Sequence, residues 1–297
     1  MKRLVAFAAC LLMAASLASC GNDDPAVDTG DQSQSDAPAE NSVKITETNY
    51  AFQIDGTVGA GTVTLEVENA GSELHEVAMA KLLDGKTMAD VTAALEKATP
   101  ETENVLEGVA EEDTALDGLG NGQAPGTKFA LTGDGIEAGE YALLCFIPNS
   151  EGVPHFKLGM VAPLTVEEGD IGGGPEAAQT YTATDEKLDG PGELPAGSTT
   201  ISVVNDSSVN RELLVLKLQD GKTVEDAGKF FESADKGPPD FANSPFDFFT
   251  FAFDSDIDRR ITVDLTPGQW YIGSADPENQ FEGSPAEDPH GQLITVA

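Results

Sequence analysis

An internal repeat places the strongest constraint on the fold, because it divides the chain into two similar halves. Residues 60–69, AGTVTLEVEN, match residues 196–205, AGSTTISVVN, at an offset of 136 (196 − 60). Further matched segments follow in the same order along the chain. They are residues 81–87 with 217–223, 139–145 with 268–274, and 164–166 with 294–296. Such self-similarity predicts two copies of one domain.

Each copy has the residue pattern of β-strands. Residues 43–48 and 62–67 alternate apolar and polar side chains with a period of two, as half-buried strands do. Each copy also carries one helix signal, a Thr-x-x-Asp sequence at residues 87–90 and 223–226 that resembles a capping box. The predicted fold class is therefore all-β, with two β-sandwich domains that each contain a short helical insertion.

The first twenty residues have the pattern of a targeting signal. A basic start precedes an apolar stretch, residues 4–17, which is too short to span a bilayer comfortably. The sequence LASC at residues 17–20 resembles a bacterial lipobox, which predicts a signal peptide over residues 1–19 and lipidation of Cys20. An ordinary secretory signal with a chance cysteine is the alternative. We expect a lipid-anchored protein on the extracytoplasmic side of the cell membrane, in the periplasm or at the cell surface.

Composition divides the remaining chain into two domains with flexible connections. Residues 20–42 are acidic and rich in turn formers, so they predict a disordered tether after the lipidated cysteine. The first predicted domain spans residues 43–167 and the second spans residues 180–297. Residues 168–179 between them are rich in glycine and predict a flexible linker. This linker gives no sign of a fixed interface, so we expect the two domains to be independent.

The net charge is strongly negative. It is −36 for the whole chain and −38 without the signal peptide, because 14 basic residues (16 − 2) then stand against 52 acidic ones. Such a surface repels nucleic acid and anionic lipid headgroups, so neither is an expected partner. The charge would attract a basic protein, or it reflects a salty habitat, and both explanations remain open. We expect a monomer whose contact with the membrane is the lipid on Cys20.

Cys145 is the one cysteine available for chemistry, because Cys10 leaves with the signal peptide and Cys20 carries lipid. His155 and Met160 follow it, so a thiol, an imidazole and a thioether fall within 16 residues. A solitary thiol in an oxidising compartment is either buried and inert or has a function. Soft sulfur ligands with imidazole suit copper, and two His, one Cys and a weak axial Met form the blue-copper pattern.

A further ligand must come from elsewhere in the chain. His75 is one of only two other histidines, and it lies at the end of the segment that follows the turn at Asn69. The predicted ligands of one copper ion per chain are His75, Cys145, His155 and Met160. In the second copy Arg211 and Ser274 occupy the positions of the first His and the Cys. A guanidinium cannot bind copper, so we expect no copper in that copy.

The first copy, over residues 43–167, resembles the cupredoxins, Greek-key β-sandwich proteins that hold one copper ion near one end of the barrel. In that family the first His follows an Asn-x-Gly turn, as His75 follows residues 69–71. The other ligands come from the loop between the last two strands, where Cys145 lies. The resemblance implies two cupredoxin-like domains, the second without a copper site. Glu76 stands where many cupredoxins carry an Asn that braces the copper loop, so the resemblance does not supply that brace.

Three functions remain open. We favour electron transfer through a single copper by a membrane-anchored protein with a redox partner. The alternatives are copper capture or delivery, and an interaction role for a metal-free lipoprotein. Copper enzymes that pair a blue copper with a second copper place a His beside the Cys, whereas Leu144 and Phe146 flank Cys145. We therefore predict that the protein is not an enzyme.

Overall fold

The computed structural model describes residues 41–99, 102, 104–112, 119–123, 125–223, 226, 248–249, 258–275 and 291–297. The predicted signal peptide, the lipidation site Cys20, nearly all of the tether and most of the second predicted helix lie outside these residues and stay predictions. Within the described residues, no helix combines the length and the apolar character needed to cross a membrane.

Strands make up most of the described chain, as the alternating pattern predicts, and the all-β class is confirmed. The strands of the first half are β1 (Ser42–Thr48), β2 (Ala51–Asp55), β3 (Val58–Asn69), β4 (His75–Leu82), β5 (Ala110–Glu112), β6 (Leu119–Gln123), β7 (Lys128–Ile136), β8 (Gly139–Leu144) and β9 (Val161–Ile171). Those of the second half are β10 (Gln179–Thr184), β11 (Leu188–Asp189), β12 (Glu193–Leu194), β13 (Gly197–Asp206), β14 (Glu212–Lys217), β15 (Phe248–Phe249), β16 (Asp258–Leu265), β17 (Gly268–Ala275) and β18 (Gly291–Val296).

One sheet runs through both halves of the chain. Its strand order is β11-β10-β13-β16-β7-β3-β9-β8-β4-β5, while a second sheet of order β12-β18-β17-β14-β15 belongs to the second half. The junction is the antiparallel pair β16–β7, from Arg259 opposite Gly133 to Val263 opposite Phe129. Arg260 adds an ion pair to Asp134 at 2.6 Å.

The sequence predicts that the two domains are independent, whereas in the structure the two halves share this sheet. An edge strand presents unpaired N–H and C=O groups, and β7 satisfies its own by pairing with β16. The strand β9 also continues to Ile171, into the segment predicted as a linker. The carbonyl of Pro175 accepts a hydrogen bond from Arg260 Nη1 at 3.3 Å, which ties the remaining connection to the junction.

One helix, α1 (Met88–Lys97), covers the outer face of β4 and β8. Its capping box is formed as predicted, since the Thr87 N–H donates to Asp90 Oδ2 at 2.9 Å. Val91 and Leu95 are its buried residues, and they join an apolar cluster with Phe156. Full burial of such a side chain contributes about 1.5–3 kcal/mol, so α1 supports the segment in which Phe156 lies.

Hydrogen bonds around one turn recur in the two halves at the offset of 136. In each half, an Asn side chain donates to the backbone of the turn after a long strand, and a second polar side chain accepts a backbone N–H from that turn. The Asn69 side chain donates to the Glu73 carbonyl and the Asn205 side chain to the Val209 carbonyl, both at 2.9 Å. The Ser72 N–H donates to Asn49 Oδ1 at 2.8 Å, and the Ser208 N–H donates to Asp185 Oδ1 at 2.7 Å.

Candidate metal centre

Three strand ends bring the predicted ligands to one end of the sheet. His75 is the first residue of β4, and Cys145 directly follows β8. His155 opens a 3₁₀ helix, His155–Leu158, and Met160 directly precedes β9. Because β8 pairs antiparallel with both β4 and β9, the end of β8 lies beside the start of each neighbour.

Two imidazoles and a thiol converge at this end. His75 Nδ1 lies 3.1 Å from His155 Nδ1, which lies 3.4 Å from Cys145 Sγ. The three ligand atoms all fall within 4.8 Å of one another, and each of the three residues is fully buried. Among the described residues, no other group of three His, Cys, Asp or Glu side chains is arranged to hold a metal ion.

The donor set and its electrostatics fit a soft or borderline cation. Burial, and then the neighbouring His155, lower the pKa of His75 to about 4, so its imidazole is neutral and able to bind a metal. Burial, and then Glu76, raise the pKa of the Cys145 thiol well above its ordinary value. Metal binding would displace that proton, because a coordinating thiol is deprotonated. Imidazole and thiolate together suit copper or zinc, and an added thioether favours copper.

Met160 is tied to the same site through its backbone. It is fully buried, its N–H donates to His155 O at 3.0 Å, and its carbonyl accepts from Cys145 N at 3.3 Å. These two bonds fix the spacing between the Cys and the second His. They place Met160 beside the cluster, while its role as a weak axial ligand remains a prediction.

Glu76 braces the Cys145 loop, although the resemblance does not supply a brace at this position. Its Oε1 accepts a hydrogen bond from the Phe146 N–H, directly after Cys145, at 2.6 Å. Burial raises the pKa of Glu76 to about 7, and the hydrogen bonds from the backbone of Phe146 and Ile147 oppose that rise. A carboxylate oxygen accepts an N–H as an amide oxygen does, so Glu76 braces the Cys145 loop.

Tyr50 and Glu73 cover the outer side of His155, and neither was predicted. Glu73 Oε2 lies 3.1 Å from His155 Nε2, although the angle falls outside that of a well-formed hydrogen bond. Burial lowers the pKa of His155, and the Glu73 carboxylate opposes that effect. The Tyr50 ring meets the imidazole edge-on at 5.1 Å between centroids, from a left-handed backbone conformation with φ 65°. That conformation costs roughly 1–2 kcal/mol for a non-glycine residue.

Glu47 is a buried acid that sequence reasoning also missed. It is fully buried, and within the described part of the chain neither carboxyl oxygen has a hydrogen-bond partner. Burial, and then Glu76, raise its pKa to about 8. The sequence does indicate that Glu47 is buried, because the period of two in β1 puts it on the same face as Val43 and Ile45.

The second half has a different group at the corresponding position. The guanidinium of Arg211 is buried and donates to Ser207 Oγ at 3.0 Å and to Thr184 O at 3.1 Å. Ser274, at the position of the Cys, is also buried. Arg211 thus uses its hydrogen-bond donors within the fold, where the first half presents an imidazole to Cys145.

No protein-family model and no curated protein matches the sequence. Solved structures of copper proteins do resemble the chain. Reduced auracyanin from the photosynthetic bacterium Roseiflexus castenholzii is 20% identical with a TM-score of 0.28, over 43% of this chain and 98% of its own. A multicopper oxidase is 13% identical with a TM-score of 0.25, over 86% of this chain and 88% of its own. A Cu-containing nitrite reductase from Thermus scotoductus is 10% identical with a TM-score of 0.25, over 86% of this chain and 61% of its own.

These matches overturn one sequence-based prediction. The multicopper oxidase and the nitrite reductase are enzymes, so the prediction that this protein is not an enzyme is wrong and is withdrawn. Cys145 is flanked by Leu144 and Phe146. These two residues argue only against a second copper that is connected through a His next to the Cys.

Proposed function

We propose that this protein binds one copper ion through His75, Cys145 and His155 and serves in electron transfer. The observation that carries the proposal is the convergence of two imidazole Nδ1 atoms and a thiol at one buried point. A bound copper ion would supply one-electron redox chemistry at this point. Met160 would contribute a weak axial sulfur ligand.

The residues around the cluster suit electron transfer better than copper delivery. Delivery requires ligands that a partner or a chelator can reach, whereas all four proposed ligands are fully buried. The brace from Glu76 to Phe146 and the backbone bonds of Met160 hold the Cys145 loop in place. A site that is held in one geometry and shielded from water needs little rearrangement when the charge of the bound ion changes.

The finer features of the proposal concern the whole chain. We propose that the two halves are repeats of a cupredoxin-like sandwich, and that the second has lost the site through Arg211 and Ser274. The recurring turn hydrogen bonds at the offset of 136 support this relation. Lipidation at Cys20 would hold the protein at the extracytoplasmic membrane surface as a monomer. A basic redox protein would be the favoured partner, because the chain carries a net charge of −36.

Copper titration of the mature chain tests the proposal. We expect one Cu(II) per chain and an intense visible absorption band from thiolate-to-copper charge transfer. Cys145→Ser should abolish the band, because it removes the thiolate while it changes the volume little. A colourless complex of the unmodified chain would refute this ligand set, and the absence of binding would refute the site.

A further inference from the structure

The two histidines of the cluster differ on the side that faces away from Cys145. His155 Nε2 lies 3.1 Å from the Glu73 carboxylate. Among the described residues neither His155 Nε2 nor His75 Nε2 makes a well-formed hydrogen bond, and both atoms are buried. His75 Nε2 lies close to Gly71, where a side-chain Cβ would come within 2.6 Å of it. Of the two imidazoles, His155 is therefore the one that faces a carboxylate.

The turn that carries Glu73 is held by its own hydrogen bonds. Asn69 Nδ2 donates to the Glu73 carbonyl at 2.9 Å, and Asn69 Oδ1 accepts from the Gly71 N–H at 2.8 Å. Asn49 Oδ1 accepts from the Ser72 N–H at 2.8 Å, which joins this turn to the turn that bears Tyr50. The backbone thus presents the Glu73 side chain to His155 without help from the carboxylate itself.

The second half provides an internal comparison. It keeps the corresponding turn, in which Asn205 Nδ2 donates to the Val209 carbonyl at 2.9 Å. Val209 stands at the position of Glu73 (73 + 136 = 209), and Arg211 stands at the position of His75. The turn therefore forms with valine at this position. The carboxylate is present in the half with the histidine cluster and absent from the half without it.

We propose that Glu73 is a positioning residue for the metal centre: its carboxylate, 3.1 Å from His155 Nε2, attracts the ring proton to that nitrogen and leaves the Nδ1 lone pair for Cys145 and His75. The inference rests on the proposed function, since it concerns the same site. A carboxylate behind a ligating His fixes its tautomer and ring orientation and raises its basicity. The His155 Nδ1 atom, 3.1 Å and 3.4 Å from its two neighbours, then serves as an acceptor in the absence of metal. The negative charge also favours the more highly charged ion, Cu(II) over Cu(I).

Substitutions at Glu73 and at a matched carboxylate in the full chain test the proposal. Glu73→Val reproduces the residue of the second half, and Glu73→Gln keeps an acceptor oxygen without the charge. Glu151→Gln is the control, because Glu151 is an exposed residue of the Cys145–His155 loop and its loss changes the net charge equally. We expect Glu73→Val to weaken Cu(II) binding by roughly 10- to 100-fold and to raise the reduction potential. Glu73→Gln should fall between Glu73→Val and the unmodified chain, and Glu151→Gln should match the unmodified chain.

A second measurement reads the tautomer without metal. In ¹⁵N NMR of the metal-free full chain, His155 should carry its proton on Nε2, and Glu73→Val should reduce that preference. The proposal is overturned if Glu73→Val and Glu151→Gln have the same copper affinity and potential, or if His155 of the unmodified chain is protonated on Nδ1. A failure of the unmodified chain to bind copper would instead overturn the proposed function.

Discussion

The buried carboxyl of Glu47 predicts an unusual dependence of stability on pH. Its pKa rises from 4.5 to about 8 in the folded state, so the folded chain binds the extra proton more tightly than the unfolded chain does. Stability from this group is therefore fully present below pH 4.5 and is lost as pH rises toward 8. At about 1.36 kcal/mol per pKa unit, the loss is about 3 kcal/mol at pH 7 and about 4 kcal/mol at pH 8.

Glu47→Gln should remove this dependence, because a neutral amide resembles the protonated acid in shape and does not titrate. We expect the metal-free variant to match the unmodified chain near pH 4.5 and to exceed its free energy of unfolding by about 3 kcal/mol at pH 7. Guanidinium denaturation followed by circular dichroism, at several pH values with a chelator present, measures the difference.

A matched control separates this effect from general loss of negative charge. Glu96→Gln removes a carboxylate from the exposed face of α1 and should give a curve parallel to that of the unmodified chain. If Glu47→Gln also gave a parallel curve between pH 4.5 and pH 8, the carboxyl of Glu47 would not be held protonated in the folded state.

Two further predictions concern the axial ligand and the junction between the halves. Met160→Leu should keep the visible band but raise the reduction potential, because it removes a donor that favours the oxidised ion; an unchanged potential in a voltammetric measurement would argue against axial ligation. Deletion of residues 172–297, which leaves β9 whole, should lower the free energy of unfolding of the first half by a few kcal/mol, because β7 loses its five paired positions on β16 at about 1 kcal/mol per backbone hydrogen bond. Equal denaturation midpoints for the full and shortened chains would show that the halves are independent.

Local patterns in the sequence predict the strands well, and they name candidate ligands of which the fold brings His75, Cys145 and His155 together. The period of two in β1 and the Thr87–Asp90 capping box appear in the structure as expected. Cys145, His155 and Met160 lie close together because all three fall between two adjacent antiparallel strands, β8 and β9. One long-range pairing, that of β4 with β8, brings His75 to the same end of the sheet.

The features that sequence reasoning missed depend on contacts between distant segments. The β7–β16 pairing joins residues more than a hundred positions apart, and the Gly-rich composition of residues 168–179 gives no information about it. The sequence shows only that Glu76 replaces the usual Asn, whereas the brace depends on a side-chain oxygen that reaches the Phe146 N–H from a distant segment. The contact of Glu73 with His155 depends on a turn geometry that becomes visible only in three dimensions.

A reversible redox titration of the copper-loaded mature chain tests the central claim most directly. The electron-transfer proposal predicts that the visible band disappears on reduction, returns on oxidation at a single one-electron potential, and keeps one copper per chain through repeated cycles. Release of copper to a chelator on reduction would contradict the proposal and favour copper delivery.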